Sequence, residues 1–114
     1  MSAAARPGQR IAEEVSGWPD VTSAPHRFGG LEFRVGRREL GHIHGDRFAD
    51  LPFTRRVRDE LIAAGRARPH HVLPDSGWVT APIDPDHPEH VIELFRMNYE
   101  RALAARERRT TAAG

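Results

Sequence analysis

Apolar positions along the chain follow two periods, and the switches between them predict its elements. Ile11, Val15 and Trp18 stand at i, i+4 and i+7, the spacing of one buried helix face, and predict a helix over 9–16. Gly17 stops it, with Pro19 just beyond. Val21–Phe28 reads as an irregular strand that Pro25 confines to an edge or a bend. Gly29-Gly30 is the strongest turn signal and predicts a hairpin. Leu31, Phe33 and Val35 then alternate with Glu32 and Arg34, as in a half-buried strand. After the turn at Gly36-Arg37-Arg38, a third strand runs Glu39–His44. Strict alternation puts Leu40, His42 and His44 on one face and Glu39, Gly41 and Ile43 on the other.

Phe48–Phe53 reads as a fourth, short strand. Thr54 caps a helix over 55–64 whose stripe is Val57, Leu61 and Ile62, ended by Gly65. Residues 66–76, with two prolines and a His pair, read as an ordered loop. A last strand covers 77–81, with Trp78 and Thr80 opposite Val79. Pro88 and Glu89 suit the first turn of a final helix that presents Val91, Leu94, Phe95, Tyr99 and Ala102 and ends near Arg106. The order α-β-β-β-(β)-α-β-α predicts an α+β fold: a single antiparallel sheet of four to five strands with helices packed on one face. The domain is expected over 9–106, between a disordered arm at 1–8 and a disordered tail at 107–114.

Composition narrows the classes. The chain has 114 residues, one domain's length, and a chain of that size buries roughly 65% of its unfolded surface. It has no Cys, which excludes a disulfide-stapled scaffold. No apolar run approaches the ~18 residues of a membrane span, and no signal-peptide pattern opens the chain, so a soluble cytoplasmic protein is the default expectation. All 17 basic residues are Arg, yet acids bring the net charge to +1, which argues against non-specific nucleic-acid binding. An all-Arg, Ala-rich chain also matches the bias of a GC-rich genome, which weakens any reading of the arginines as phosphate ligands. Nothing in the pattern specifies an oligomeric state.

Candidate chemistry centres on His42-Ile43-His44-Gly45-Asp46. Two histidines at i, i+2 on a strand point the same way, about 6.6 Å apart, and can converge on one metal. Asp46 would share their face if the strand continued, and Asp50, His70 or His71 could complete the set. Gly36 followed by His42-x-His44 resembles the start of a cupin metal motif, but Phe48 and Ala49 stand where its acid belongs. The second cluster is His70-His71 with Asp75, Ser76 and Trp78; Asp75-Ser76-Gly77 reads as an Asx-type turn launching the strand. The ligand-binding candidates are therefore His42, His44, Asp46, Asp50, His70, His71, Asp75, Ser76 and Trp78, with His42 and His44 as metal ligands. No organic cofactor is evident, and the set admits a divalent metal. If the clusters share a site, His42 or His44 should lie within about 8 Å of His70, His71, Asp75 or Ser76.

Four blocks in order carry a resemblance: Phe28–Phe33, Glu39–Asp46, Asp50–Phe53 and His70–Val79. Together they resemble the small bacterial luciferase-domain family, a domain of unknown function. The element order is more loosely similar to the YjbR-like fold. The resemblance implies no established catalytic set. Flavin-dependent luciferases are TIM barrels of ~250 residues, which this chain cannot form. The readings in play are a small-ligand-binding domain with a His/Asp-lined polar site, a metal-dependent or oxidative enzyme using the same histidines, and a nucleic-acid or protein interaction module of YjbR-like type.

Overall fold

The computed structural model describes residues 6–113. The elements are α1 (Pro7–Ser16), β1 (Val21–His26), β2 (Gly30–Val35), β3 (Arg38–His44), β4 (Phe48–Pro52), α2 (Arg55–Ala63), β5 (Arg68–Pro69), β6 (Trp78–Pro82) and α3 (Glu89–Ala113). All strand pairs are antiparallel, in the order β1-β2-β3-β4-β6-β5. The α+β class and the single antiparallel sheet stand as expected.

The strand count is six rather than four to five. The extra strand, β5, lies in the segment expected to be a loop. It pairs only Arg68 with Thr80 and Pro69 with Val79, too short a run to leave any periodicity. Both outermost strands carry a proline, Pro25 on β1 and Pro69 on β5. β6 pairs with β4, one strand away from β3.

Local signals explain the helices. Pro7 occupies the first turn of α1, so that helix opens inside the expected arm; residues 1–5 of the arm lie outside the described residues. The Thr54 hydroxyl accepts the Val57 N–H at 3.2 Å and caps α2. α3 continues through 107–113, where a fraying tail was expected, and Gly114 lies outside the described residues. Among the described residues no helix is long and apolar enough to cross a membrane.

Ile11 and Val15 of α1 and Val91, Leu94, Phe95 and Tyr99 of α3 are buried in one core with Phe33, Ile43, Leu51, Val79 and Ala81 of the sheet. The rings of Phe33 and Phe95 meet edge to face at 5.4 Å. The other face of the sheet is polar. Cross-strand register lines up Ala24, Glu32, His42, Asp50, Thr80 and Arg68 in one row.

A bulge in β3 sets which residues reach that polar face. Phe33 pairs with Gly41 but Arg34 pairs with Glu39, leaving Leu40 as the extra residue. Strict alternation therefore fails here. Leu40 is fully buried in the core, and Glu39 joins the histidine face instead of opposing it. Gly41 takes a φ of 148°. Asn98 of α3 donates from Nδ2 to the Leu40 carbonyl at 3.1 Å and to the Pro52 carbonyl at 2.8 Å. Asn98→Ala leaves both acceptors in a buried setting. It is expected to cost about 2 kcal/mol in denaturant unfolding; unchanged stability would show that the bulge holds without this clamp.

Candidate functional site

His42 and His44 project from β3 onto the polar face, and Asp50 stands directly across from His42 on β4. Thr80, the next residue in the row, donates its hydroxyl to Asp50 Oδ1 at 2.7 Å. The loop after β5 brings His70 and His71 over the same carboxylate. Arg58 of α2 anchors that loop by donating to the carbonyls of Pro74 (3.0 Å) and Ser76 (2.9 Å).

The result is a ring of imidazoles around one oxygen. The Nε2 atoms of His42, His44 and His71 each lie 3.3 Å from Asp50 Oδ2, and that of His70 lies 3.6 Å away. Asp50 is 1% exposed. The two histidine clusters thus meet well inside the separation expected of a shared site, through an acid that both approach. Asp50, His42, His44, His70, His71 and Trp78 line one open pocket of about 410 Å³.

Three other residues named from the sequence, Asp46, Asp75 and Ser76, fall elsewhere. β3 ends at His44, and Gly45 turns the backbone at a φ of 59°. Asp46 therefore leaves the histidine face, accepts the Gly8 N–H at 2.9 Å and faces Arg6 at 3.8 Å. Asp75 is exposed at the loop surface. The turn that launches β6 is made by Ser76, not Asp75: its hydroxyl donates to the Leu73 carbonyl and accepts the Trp78 N–H.

Sequence reasoning missed His26, Glu39 and Glu32. His26 stacks on His42 with ring centroids 3.9 Å apart, and its Nδ1 lies 3.0 Å from Glu32. Glu39 Oε2 lies 2.8 Å from His42 Nδ1. The signal for His26 was the Gly-rich turn that folds β1 back onto β2. Glu39 was hidden by the bulge.

Hydrogen-bond partners fix the tautomers. A carboxylate only accepts, so His42 Nδ1 carries a proton and its Nε2 faces Asp50. His70 is the reverse: its Nδ1 accepts the N–H groups of Val72 (3.1 Å) and Leu73 (3.0 Å), so its proton sits on Nε2 and points at Asp50. His70 thus turns an N–H toward the carboxylate, at 3.6 Å. His44 and His71 have no such partner fixing Nδ1 among the described residues.

Charge is concentrated on one imidazole. Burial lowers the His42 pKa, but its contacts to Asp50 and Glu39 outweigh burial and raise it from 6.5 to about 9. Burial raises that of Asp50, but His42, Thr80, His71 and His70 hold it well below the usual carboxylate range. His44 and His70 are lowered, by burial first and by neighbouring imidazoles including His42. Near neutral pH the site therefore holds an imidazolium at His42, a carboxylate at Asp50, and neutral rings at His44 and His70.

These shifts dictate a pH dependence. The raised His42 pKa contributes stability that is complete below 6.5 and lost as pH rises through about 9. The depressed Asp50 pKa contributes stability present above 3.8 and lost in acid. The protein is expected to lose about 2–3 kcal/mol of unfolding free energy between pH 6.5 and 9. His42→Gln should flatten that slope, and an equal slope in both proteins would show that His42 is not its source.

A small α+β protein with a histidine–carboxylate cluster on the open face of its sheet is the class that fold and site define. The luciferase domain family matches residues 37–98, more than half of the chain, and the chain belongs to that family. The match runs from the turn before β3 into α3, so it takes in His42, His44, Asp50, His70 and His71. No curated protein and no solved structure matches the chain.

Proposed function

We propose that the protein is a small-ligand-binding domain built on a divalent transition-metal site, with His42, His44 and Asp50 as ligands. The observation that carries this reading is the approach of two Nε2 atoms from one strand to a single buried carboxylate oxygen on the next. One donor atom from each of the three residues lies within 4.8 Å of the others. Imidazole and carboxylate together suit zinc, iron, copper or nickel, and two-histidine, one-carboxylate sets leave positions open for a further ligand.

The surroundings favour the same reading. Metal-binding histidines usually donate their other ring N–H to a carboxylate, as His42 does to Glu39. The His44 ring is held neutral, the form that binds metal. His71 is half exposed and reaches the same carboxylate from the other side, in a second group with His70 and Asp50. His70 cannot do so while its Nδ1 accepts two backbone N–H groups. Bound metal would supply Lewis acidity or redox chemistry to whatever occupies the pocket. Trp78 lines that pocket beside the ring of His42, and Phe48 packs against the ring of His44.

Stripped protein titrated with Zn²⁺, Co²⁺ and Mn²⁺ by calorimetry tests the reading. One ion per chain is expected, lost in His44→Ala and retained in His70→Gln. Absence of stoichiometric binding, or binding indifferent to His44→Ala, would overturn it. Turnover of a bound ligand only with metal present would place the protein among enzymes.

A further inference from the structure

A second charged site lies at the opposite end of β3, away from the histidines. The turn from β2 to β3 carries Arg37 and Arg38, and the last turns of α3 bring Arg101, Arg106, Arg108 and Arg109 to it. Arg106 is paired with Asp20 at 2.9 Å, and Arg34 is held by Glu32. Among the described residues, Arg37, Arg38, Arg101, Arg108 and Arg109 have no carboxylate within 4.0 Å.

Arginines at a helix end are ordinarily solvated. These depart from that in two ways. Arg101 Nη1 is shut off from solvent and has no hydrogen-bond partner among the described residues, although buried donors are almost always paired. Arg38 is partly desolvated and crowded by Arg101, Arg108 and Arg109, which lower its pKa. Two cavities meet at Arg38. One, about 320 Å³, is lined by Arg38, Arg101, Asn98 and Thr54; the other, about 480 Å³, by Arg38, Arg37, Arg106 and Arg109. The one carboxylate lining either cavity, Glu39, is engaged by His42 and approached by Arg34.

We propose that Arg38, Arg101 and Arg109 form a binding site for the phosphoryl group of a small molecule. Planar guanidinium forks match the oxygens of phosphate, and unpaired ones at two cavities that meet at Arg38 select a multiply charged oxyanion over a carboxylate. Arg101 lines the first of these cavities and brings its other guanidinium donors to it. Asn98 and Thr54 line the same cavity beside it. The site is independent of the metal centre: its cations come from the β2–β3 turn and α3, and none of them touches Asp50.

Calorimetric titration with inorganic phosphate and pyrophosphate, at low and moderate salt, tests this. Pyrophosphate is expected to bind more tightly than phosphate, and Arg38→Gln and Arg101→Gln to weaken it by about tenfold or more each. Arg38 is exposed at the first position of β3, so Arg38→Gln keeps the test decisive should Arg101→Gln fold poorly. Binding should persist in His44→Ala, which separates this site from the metal. No binding at millimolar pyrophosphate, or equal binding by Arg38→Gln, would overturn the proposal. So would tight, steeply salt-dependent binding of duplex DNA without pyrophosphate binding, which would make the patch a nucleic-acid surface.

Discussion

Asp50→Ala is expected to abolish the proposed metal binding and to strip His42 of its high pKa in one step. Asp50 is the meeting point of the site: Oδ2 faces four imidazoles, Oδ1 takes the Thr80 hydroxyl, and the residue itself is 1% exposed. Without it, burial and the neighbouring rings act on His42 with only Glu39 opposing them. The His42 pKa should fall well below about 9, as read from its ring proton resonances. Removing one partner of a buried ion pair costs about 3–5 kcal/mol when the other stays charged. Here the imidazolium can shed its proton, so a loss of about 2–4 kcal/mol is expected in urea unfolding at neutral pH. A variant as stable as the parent, with His42 still titrating near 9, would show that Glu39 alone holds that proton.

Gly41→Ala should be the most damaging small substitution in the sheet. A Cβ there would sit 2.8 Å from the Asp50 carbonyl, 2.9 Å from Phe95 Cε1 and 3.0 Å from Leu51 Cγ. The φ of 148° adds backbone strain for any side chain. Crowding and strain together are expected to cost about 3–5 kcal/mol. Because His42 is the next residue, variants that still fold should also bind metal more weakly. Gly45→Ala is the control: its φ is 59° but nothing lies within 4 Å of a new Cβ, so a cost of about 1 kcal/mol is expected. Equal losses at the two positions would mean that backbone strain, not the packing of β4 and α3 on the bulge, sets the effect.

Periodicity made most of the fold legible. Leu31, Phe33 and Val35 alternate, and Phe33 and Val35 are buried. Ile11 and Val15 mark the buried face of α1, and Thr54 caps α2 as its identity suggests. What stayed hidden was where alternation breaks. The bulge at Leu40 reverses the faces of Leu40 and Glu39, because one extra residue shifts the side chains before it by one position. β5 was illegible because two residues have no period.

The site was legible in part for the same reason. His42 and His44 follow the strand period beyond the bulge, so their shared face could be read. Asp50 was one of several acids in reach, and only the β3–β4 register singles it out. Asp46 looked equally placed, but the positive φ at Gly45 ends the strand before it. His26 sits sixteen residues before His42, on a strand that is not β3's neighbour. No spacing rule connects them.

The prolines on the two outermost strands bear on how the molecule behaves in a crowd. An open sheet edge offers unpaired N–H and C=O groups to any other extended chain and so invites edge-to-edge aggregation. Pro25 removes one donor from the β1 edge, and Pro69 removes one of only two in β5. Each edge is blunted against growth of the sheet by further copies. Pro25→Val and Pro69→Val would restore those donors, and the doubly substituted chain should form fibrils or amorphous aggregate at concentrations where the parent stays dispersed.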